Sequence, residues 1–228
     1  MTGNYSFGII ILLLNACGTL APQLTVEELR NPVPSPEGLV WNVGDSILFA
    51  VYGDNRLSVN HQDRNFDSAR RRRRRAIVDA ISLAGPDFVI HTGDLVEKGS
   101  NSELWSGFVE DSKDLLKPGF FYPVAGNHEY KGGKSESYFA LFSETIGNSK
   151  SYSFRVGSAT FIFLDSVSKL SPGMDPNSNI HSAWFNERLD EALDSRFLFV
   201  VMHHPVFSSG RGQQYSIGTS QDSVGEFR

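Results

Sequence analysis

One cysteine, Cys17, stands in a chain of 228 residues. A lone thiol excludes an internal disulfide framework. Long apolar runs are missing too. The stretch Phe7 to Leu14 (FGIIILLL) would rise about 12 Å as a helix, against the roughly 30 Å hydrocarbon core of a bilayer, so it does not read as a membrane span. No segment repeats. With 40% hydrophobic and 12% aromatic residues, the composition excludes a disordered or collagen-like chain. Basic residues are in deficit: 21 Lys and Arg face 26 Asp and Glu, and six of the 21 form one run, Arg70 to Arg75. The body is acidic with one basic spot, so nucleic acid is not an expected partner.

What is present begins with an address. A short apolar run followed by small residues is the pattern of an export signal. Leu14-Asn15-Ala16-Cys17 also resembles the lipobox of bacterial lipoproteins. That resemblance implies a signal peptide over 1–17, cleavage before Cys17 and a lipid on its sulfur. The protein would then be exported and held on a membrane, in the periplasm or at the cell surface. The basic residues usual in such a leader are missing from Met1 to Phe7, and Asn15 is a less usual lipobox residue. Other export, or a buried N-terminal strand, would also use this run. Residues 18–44 hold four of the ten prolines, three of them in Asn31-Pro-Val-Pro-Ser-Pro-Glu-Gly38. This reads as an extended tether, because Pro removes helical hydrogen bonds.

From residue 45 onward, strand and helix signals alternate. Ile47 to Tyr52, Phe88 to His91 and Phe197 to Met202 are apolar runs suited to strands covered on both faces. Phe120 to Ala125 is a further strand made irregular by Pro123. Helices are expected over Ser68 to Leu83, Ser102 to Leu116, Ser135 to Phe142 and Ser182 to Leu193. Trp105, Phe108, Trp184 and Phe185 there are expected to be core residues. Ser151 to Val156 and Thr160 to Leu164 flank Gly157-Ser158 as a hairpin. The alternation predicts an α/β layered fold with a largely parallel sheet flanked by helices.

Polar residues cluster where these strands end: Gly53-Asp54-Asn55-Arg56, Gly93-Asp94, Gly126-Asn127-His128-Glu129 and His203-His204-Pro205. In open α/β sheets ligands bind beyond the carboxyl ends of the strands, so clusters far apart in sequence would meet on one rim. A glycine before the polar residue lets main chain pass close to something bound. Carboxylate, carboxamide and imidazole donors suit Mn, Fe or Zn. A shared Asp is a usual bridge in a two-metal centre.

These motifs, in this order over about Ile47 to Gly210, resemble those of the calcineurin-like metallophosphoesterases, and in style the purple acid phosphatases among them. The resemblance implies a layered sandwich with a mostly parallel sheet flanked by helices. It also implies hydrolysis of a phosphomonoester or phosphodiester by a metal-bound hydroxide, at two divalent or trivalent ions (Fe, Mn or Zn). Asp54 would bind one metal, Asp94 would bridge both, and Asn127 and His203 would bind the second. His128 would be the catalytic residue that steadies phosphoryl oxygens or protonates the leaving group.

The sequence departs from that pattern in three places. Arg56 stands where the family carries a ligand histidine, and a guanidinium cannot coordinate a metal. Glu97 stands where purple acid phosphatases carry a tyrosine, and would be an oxygen ligand or point to solvent. No Gly-His-x-His follows His203, so the domain over 45–228 is expected to be incomplete at its C-terminus. A non-enzymatic surface lipoprotein that keeps the scaffold for binding is the alternative. Arg56 would contact substrate phosphate or form a salt bridge. His204 would contact substrate or cap local main chain. His91 reads as a buried, hydrogen-bonded histidine, and Asp165 as a structural one. Arg70 to Arg75 reads as a solvated helical segment, or one facing anionic lipid head groups.

Overall fold

The computed structural model describes residues 11–14, 47–56, 64–117, 119–133, 135–147, 149–167 and 179–205. The lipobox Cys17, the tether over 18–44, His61 and everything after Pro205 lie outside the described residues.

The elements run β1 (Ile11–Leu14), β2 (Phe49–Tyr52), α1 (Arg64–Ala84), β3 (Phe88–His91), α2 (Ser102–Ser112), β4 (Phe121–Pro123), α3 (Glu136–Ile146), β5 (Tyr152–Val156), β6 (Ala159–Leu164), α4 (Asn179–Glu191) and β7 (Phe197–Met202). They build two sheets. The first has the order β1-β2-β3-β4 and every neighbouring pair is parallel. The second has the order β5-β6-β7, antiparallel in the β5–β6 hairpin and parallel between β6 and β7. The sequence pattern predicts β7 as one more strand end on a common rim. The structure places it in a separate sheet. Apolar pattern carries the strand's period but not its partner. Ile11–Leu14, the described part of the apolar run near the N-terminus, form edge strand β1, Ile11 opposite Phe49 through Leu14 opposite Tyr52.

The first sheet is covered on both faces, and side-chain alternation decides which residue serves which face. Ala50, Tyr52, Val89 and Phe121 point into a core with Val78 and Ile81 of α1, Leu104, Trp105 and Phe108 of α2, and Tyr138, Phe142 and Ile146 of α3. Phe49, Phe88, Ile90 and Tyr122 point the other way, onto Ala159, Phe161 and Phe163 of β6 and Val201 of β7. Between the sheets the packing is aromatic. Phe49 stacks on Phe88 at 5.3 Å, and Phe161 meets both edge-on at 5.2 Å. Each such buried Phe contributes about 1.5–3 kcal/mol of transfer free energy. The result is a layered α/β architecture: helices, parallel sheet, mixed sheet.

The arginine run forms one turn after another of α1. At about 100° per residue, Arg71, Arg74 and Arg75 fall on the same helix face as Val78 and Ile81. Arg74 is therefore buried, at 1% exposure, rather than solvated. Its counter-charge is Asp111 of α2, whose side chain is fully buried and also takes Arg71 and Arg75 at 2.8 and 2.9 Å. The solvated reading holds for Arg72, Arg73 and Arg75, which are exposed, the last while paired with Asp111.

Candidate metal centre

Each cluster named from the sequence follows a strand, and the chain turns sharply there. Asp54 (φ 53°) and Asp94 (φ 58°) are the non-glycine residues with positive φ among the described residues. L-residues visit that region at a cost, and such outliers gather at functional sites. Two glycines make the crowding possible. A Cβ on Gly93 (φ 96°) would sit 2.8 Å from both Gly126 N and His203 Nδ1. A Cβ on Gly126 would collide with Asp94 and come 3.0 Å from His203 Cε1. The loops after β3 and β4 and the end of β7 can therefore approach one another only because neither position carries a side chain.

The structure brings Asp54, Asp94 and His203 together, with one donor atom from each within 4.8 Å of the others. Asn127 joins them: its Oδ1 lies 3.2 Å from His203 Nε2. Asp94 Oδ1 is 3.4 Å from the same nitrogen. His203 Nδ1 lies 2.8 Å from the Thr92 carbonyl, an acceptor only, so Nδ1 carries a proton, and in the neutral ring Nε2 presents its lone pair. In that neutral ring, a bare imidazole nitrogen, a carboxamide oxygen and a carboxylate oxygen point at one another with no proton to share. Such a group of lone pairs repels unless a cation lies among them, and its oxygen and nitrogen donors fit Mn, Fe or Zn. The donor set present therefore fits a metal ion.

Partial burial in the cleft, opposed by His203, pushes the Asp54 carboxyl above its ordinary value, and the neighbouring Asp94 carboxylate adds to this. Its side chain nevertheless stays 60% exposed, open on the solvent side of the site. Asp94 is buried.

His128 sits over the centre. Its main-chain N–H donates to Asp94 Oδ1 (3.1 Å), and its ring Nδ1 donates to the Glu97 carbonyl (2.7 Å). That leaves Nε2 facing Asp94 Oδ2 at 3.7 Å, where it accepts from Lys131 Nζ at 2.7 Å. Arg56 does not reach outward as a simple phosphate contact. Its Nη1 donates to Asp94 Oδ2 (2.6 Å) and Asp54 Oδ1 (3.4 Å), and its Nε to Glu97 Oε2 (3.0 Å). Glu97 thereby binds the guanidinium and stands outside the Asp54, Asp94 and His203 group. His204 is buried, takes its main-chain N–H to Ser166 Oγ and sets Nδ1 3.0 Å from the same hydroxyl. Burial, with His203 beside it, lowers its pKa. The geometry gives His204 a local partner rather than an aim toward the metal donors. His91 is buried, accepts from Gly93 N–H at Nδ1 and donates from Nε2 to Asn55 Oδ1 (3.0 Å). Desolvation drives its pKa well down and keeps it neutral. Asp165 caps the end of β6, taking Val167 N–H at Oδ1 and Tyr130 OH at Oδ2.

Two supporting residues escaped the sequence reading. Glu129 is fully buried and accepts four main-chain N–H groups, from Asp94, Leu95, Val96 and Gly126, at 2.7–3.1 Å. It holds the β3 loop and the β4 loop in one grip. Desolvation pushes its pKa up to about 8 against those donors. Arg74 is the other, binding the carbonyls of Asn55 and Leu95. A sequence signal existed for its anchor. Asp111 falls on the face of α2 that carries Leu104 and Phe108, and a carboxylate on an apolar stripe calls for a buried cation.

The family model for calcineurin-like phosphoesterases matches residues 40–223, more than half of the chain, and the protein belongs to that family. Among solved structures, a purple acid phosphatase isolated from yellow lupin (Lupinus luteus) seeds matches over 74% of this chain, with TM-score 0.54 and 16% identity. The chain spans 32% of the length of that structure. Among curated proteins, none matches the chain in sequence.

Proposed function

We propose that the protein hydrolyses phosphate esters at a metal centre held by Asp54, Asp94, Asn127 and His203. Family membership supports metal-dependent phosphoester hydrolysis in general. The observation that carries the residue assignment is the convergence of Asn127 Oδ1 and Asp94 Oδ1 on His203 Nε2, at 3.2 and 3.4 Å, with Asp54 in the same group. When bound, Fe, Mn or Zn supplies Lewis acidity to a phosphoryl oxygen and to water.

The chain's own residues do the rest. Asp54, Asp94, Asn127 and His203 orient the ion. Thr92 O holds His203 in the tautomer that leaves Nε2 bare. His128, fixed at Nδ1 by the Glu97 carbonyl, presents Nε2 to the leaving oxygen, and the Lys131 ammonium at 2.7 Å holds positive charge beside it. Lys131 and Arg56 add positive charge for a phosphate dianion or diester anion.

The test is hydrolysis of a chromogenic phosphate monoester and diester by the chain supplied with Mn or Fe. Asp94→Ala and Asn127→Ala are expected to lose at least about 100-fold. Turnover unchanged in both variants would overturn the assignment. We further propose that Cys17 carries a lipid and anchors the protein to a membrane after export. Incorporation of labelled fatty acid by the wild type and not by Cys17→Ser is the expected result.

A further inference from the structure

The two oxygens of Asp94 are committed to different partners. Oδ1 takes the His128 N–H at 3.1 Å and faces the bare Nε2 of His203 at 3.4 Å. Oδ2 takes Arg56 Nη1 at 2.6 Å. The same guanidinium sets Nε 3.0 Å from Glu97 Oε2 and Nη1 3.4 Å from Asp54 Oδ1. One planar cation thus lies against three carboxylates and takes the Asp94 oxygen other than the one His203 faces.

A carboxylate that bridges two metals offers one oxygen to each. Here the second oxygen is held by a group of fixed charge, which cannot donate a lone pair and does not leave as an ion would. Charge counting points the same way. Asp54, Asp94 and Glu97 bring three negative charges to a centre whose histidine His203 is held with Nε2 bare. Arg56, Lys131 (3.6 Å from Glu97) and one divalent ion already bring the sum to +1. A second divalent ion beside the guanidinium would leave a large positive excess in a partly buried site, where repulsion is weakly screened.

We infer that Arg56 is a built-in cation that takes the place of one of the two metals expected for the family. The chain then binds a single ion, on Asp54, Asp94 Oδ1, Asn127 and His203. Asp94 bridges a metal and a guanidinium instead of two metals. Arg56 Nη2 makes no hydrogen bond to a described residue, so it is left to contact a phosphoryl oxygen while Nη1 and Nε hold the carboxylates. The inference rests on the phosphoesterase reading and narrows it.

The experiment counts metal in the purified chain after loading with Mn(II) and removal of excess, by plasma mass spectrometry. Paramagnetic resonance of the same samples distinguishes an isolated Mn(II) from an exchange-coupled pair. The wild type is expected to hold one equivalent with the isolated-ion signal. Arg56→His replaces the fixed charge with a ligand, and is expected to hold a second equivalent with a coupled signal. Two equivalents, or none, in the wild type would overturn the inference. So would an Arg56→His protein that folds, by circular dichroism, and still holds one. If that variant does not fold, the wild-type count decides alone. Ester hydrolysis on the same samples separates the two claims. Two ions with hydrolysis intact defeat the role of Arg56 and leave the phosphoesterase standing. One ion with no hydrolysis does the reverse.

Discussion

Arg74 donates to the main-chain carbonyl of Asn55 from two guanidinium nitrogens, at 3.2 and 3.0 Å, and from one of them to the Leu95 carbonyl at 3.1 Å. Asn55 follows the candidate ligand Asp54, and Leu95 follows Asp94. One buried side chain from α1 therefore ties the two carboxylate loops together, and α2 supplies its counter-charge through Asp111. Removing either partner strands a buried charge. Asp111→Ala is expected to cost about 3–5 kcal/mol in urea unfolding. The double variant Arg74→Met/Asp111→Leu is expected to cost less than the two single changes summed, because neither charge is left alone. Additive costs would show that the pair is not coupled.

Glu129 acts on the same loops from the other side. Glu129→Gln keeps the size but turns an NH2 group toward main-chain N–H donors, orphaning a pair of them at roughly 1–3 kcal/mol each. Loss of this grip should lower Mn affinity by about 10- to 100-fold, in the range seen when groups behind metal ligands are changed. Calorimetric titration with Mn checks this, and unchanged affinity in a folded Gln variant would refute it.

Gly126 tests the crowding directly. An alanine there places Cβ against Asp94 and 3.0 Å from His203 Cε1. The stability cost is expected to be modest, about 1–3 kcal/mol. The cost in turnover should be near 100-fold, because the two ligands are pushed apart by a fraction of an ångström to an ångström. Thermal melting and ester hydrolysis on one preparation measure both.

Four core tyrosines set the alkaline limit. Burial raises the pKa of Tyr52, Tyr138 and Tyr152, and pushes Tyr122 up to about 12. Tyr138 and Tyr152 both donate to the Pro123 carbonyl, at 3.0 and 2.8 Å. A folded-state pKa above the unfolded one means the fold holds the proton more tightly. The stabilisation is complete below about pH 10, the ordinary tyrosine value, and is lost as pH rises from there toward 12. The phenolate absorbance of these four is expected to appear together with loss of the near-ultraviolet circular dichroism. Their ionisation near pH 10 in a still-folded protein would contradict this.

Much of the layout was legible in the sequence. Apolar runs bounded by Gly and Pro located the strands and helices, with ends off by a few residues: α1 begins at Arg64 rather than Ser68, and α2 stops at Ser112 rather than Leu116. Hidden from it were contacts between distant residues. The burial of Arg74 depends on Asp111, and the partners of Arg56 include Glu97, 41 residues away. His203 and Thr92 are 111 residues apart and follow strands of different sheets.

The sequence by itself determined which donor atoms exist, that each follows a strand and a sharp turn, and hence the kind of cation they suit, because these are local properties of side-chain chemistry and main-chain conformation. Only the tertiary structure decided which of those donors share a centre, that Arg56 holds Asp94 Oδ2 while His203 faces Oδ1, and that Glu129 and Arg74 clamp the loops. Those outcomes depend on how two sheets and two helices pack, and packing is set by the whole chain at once.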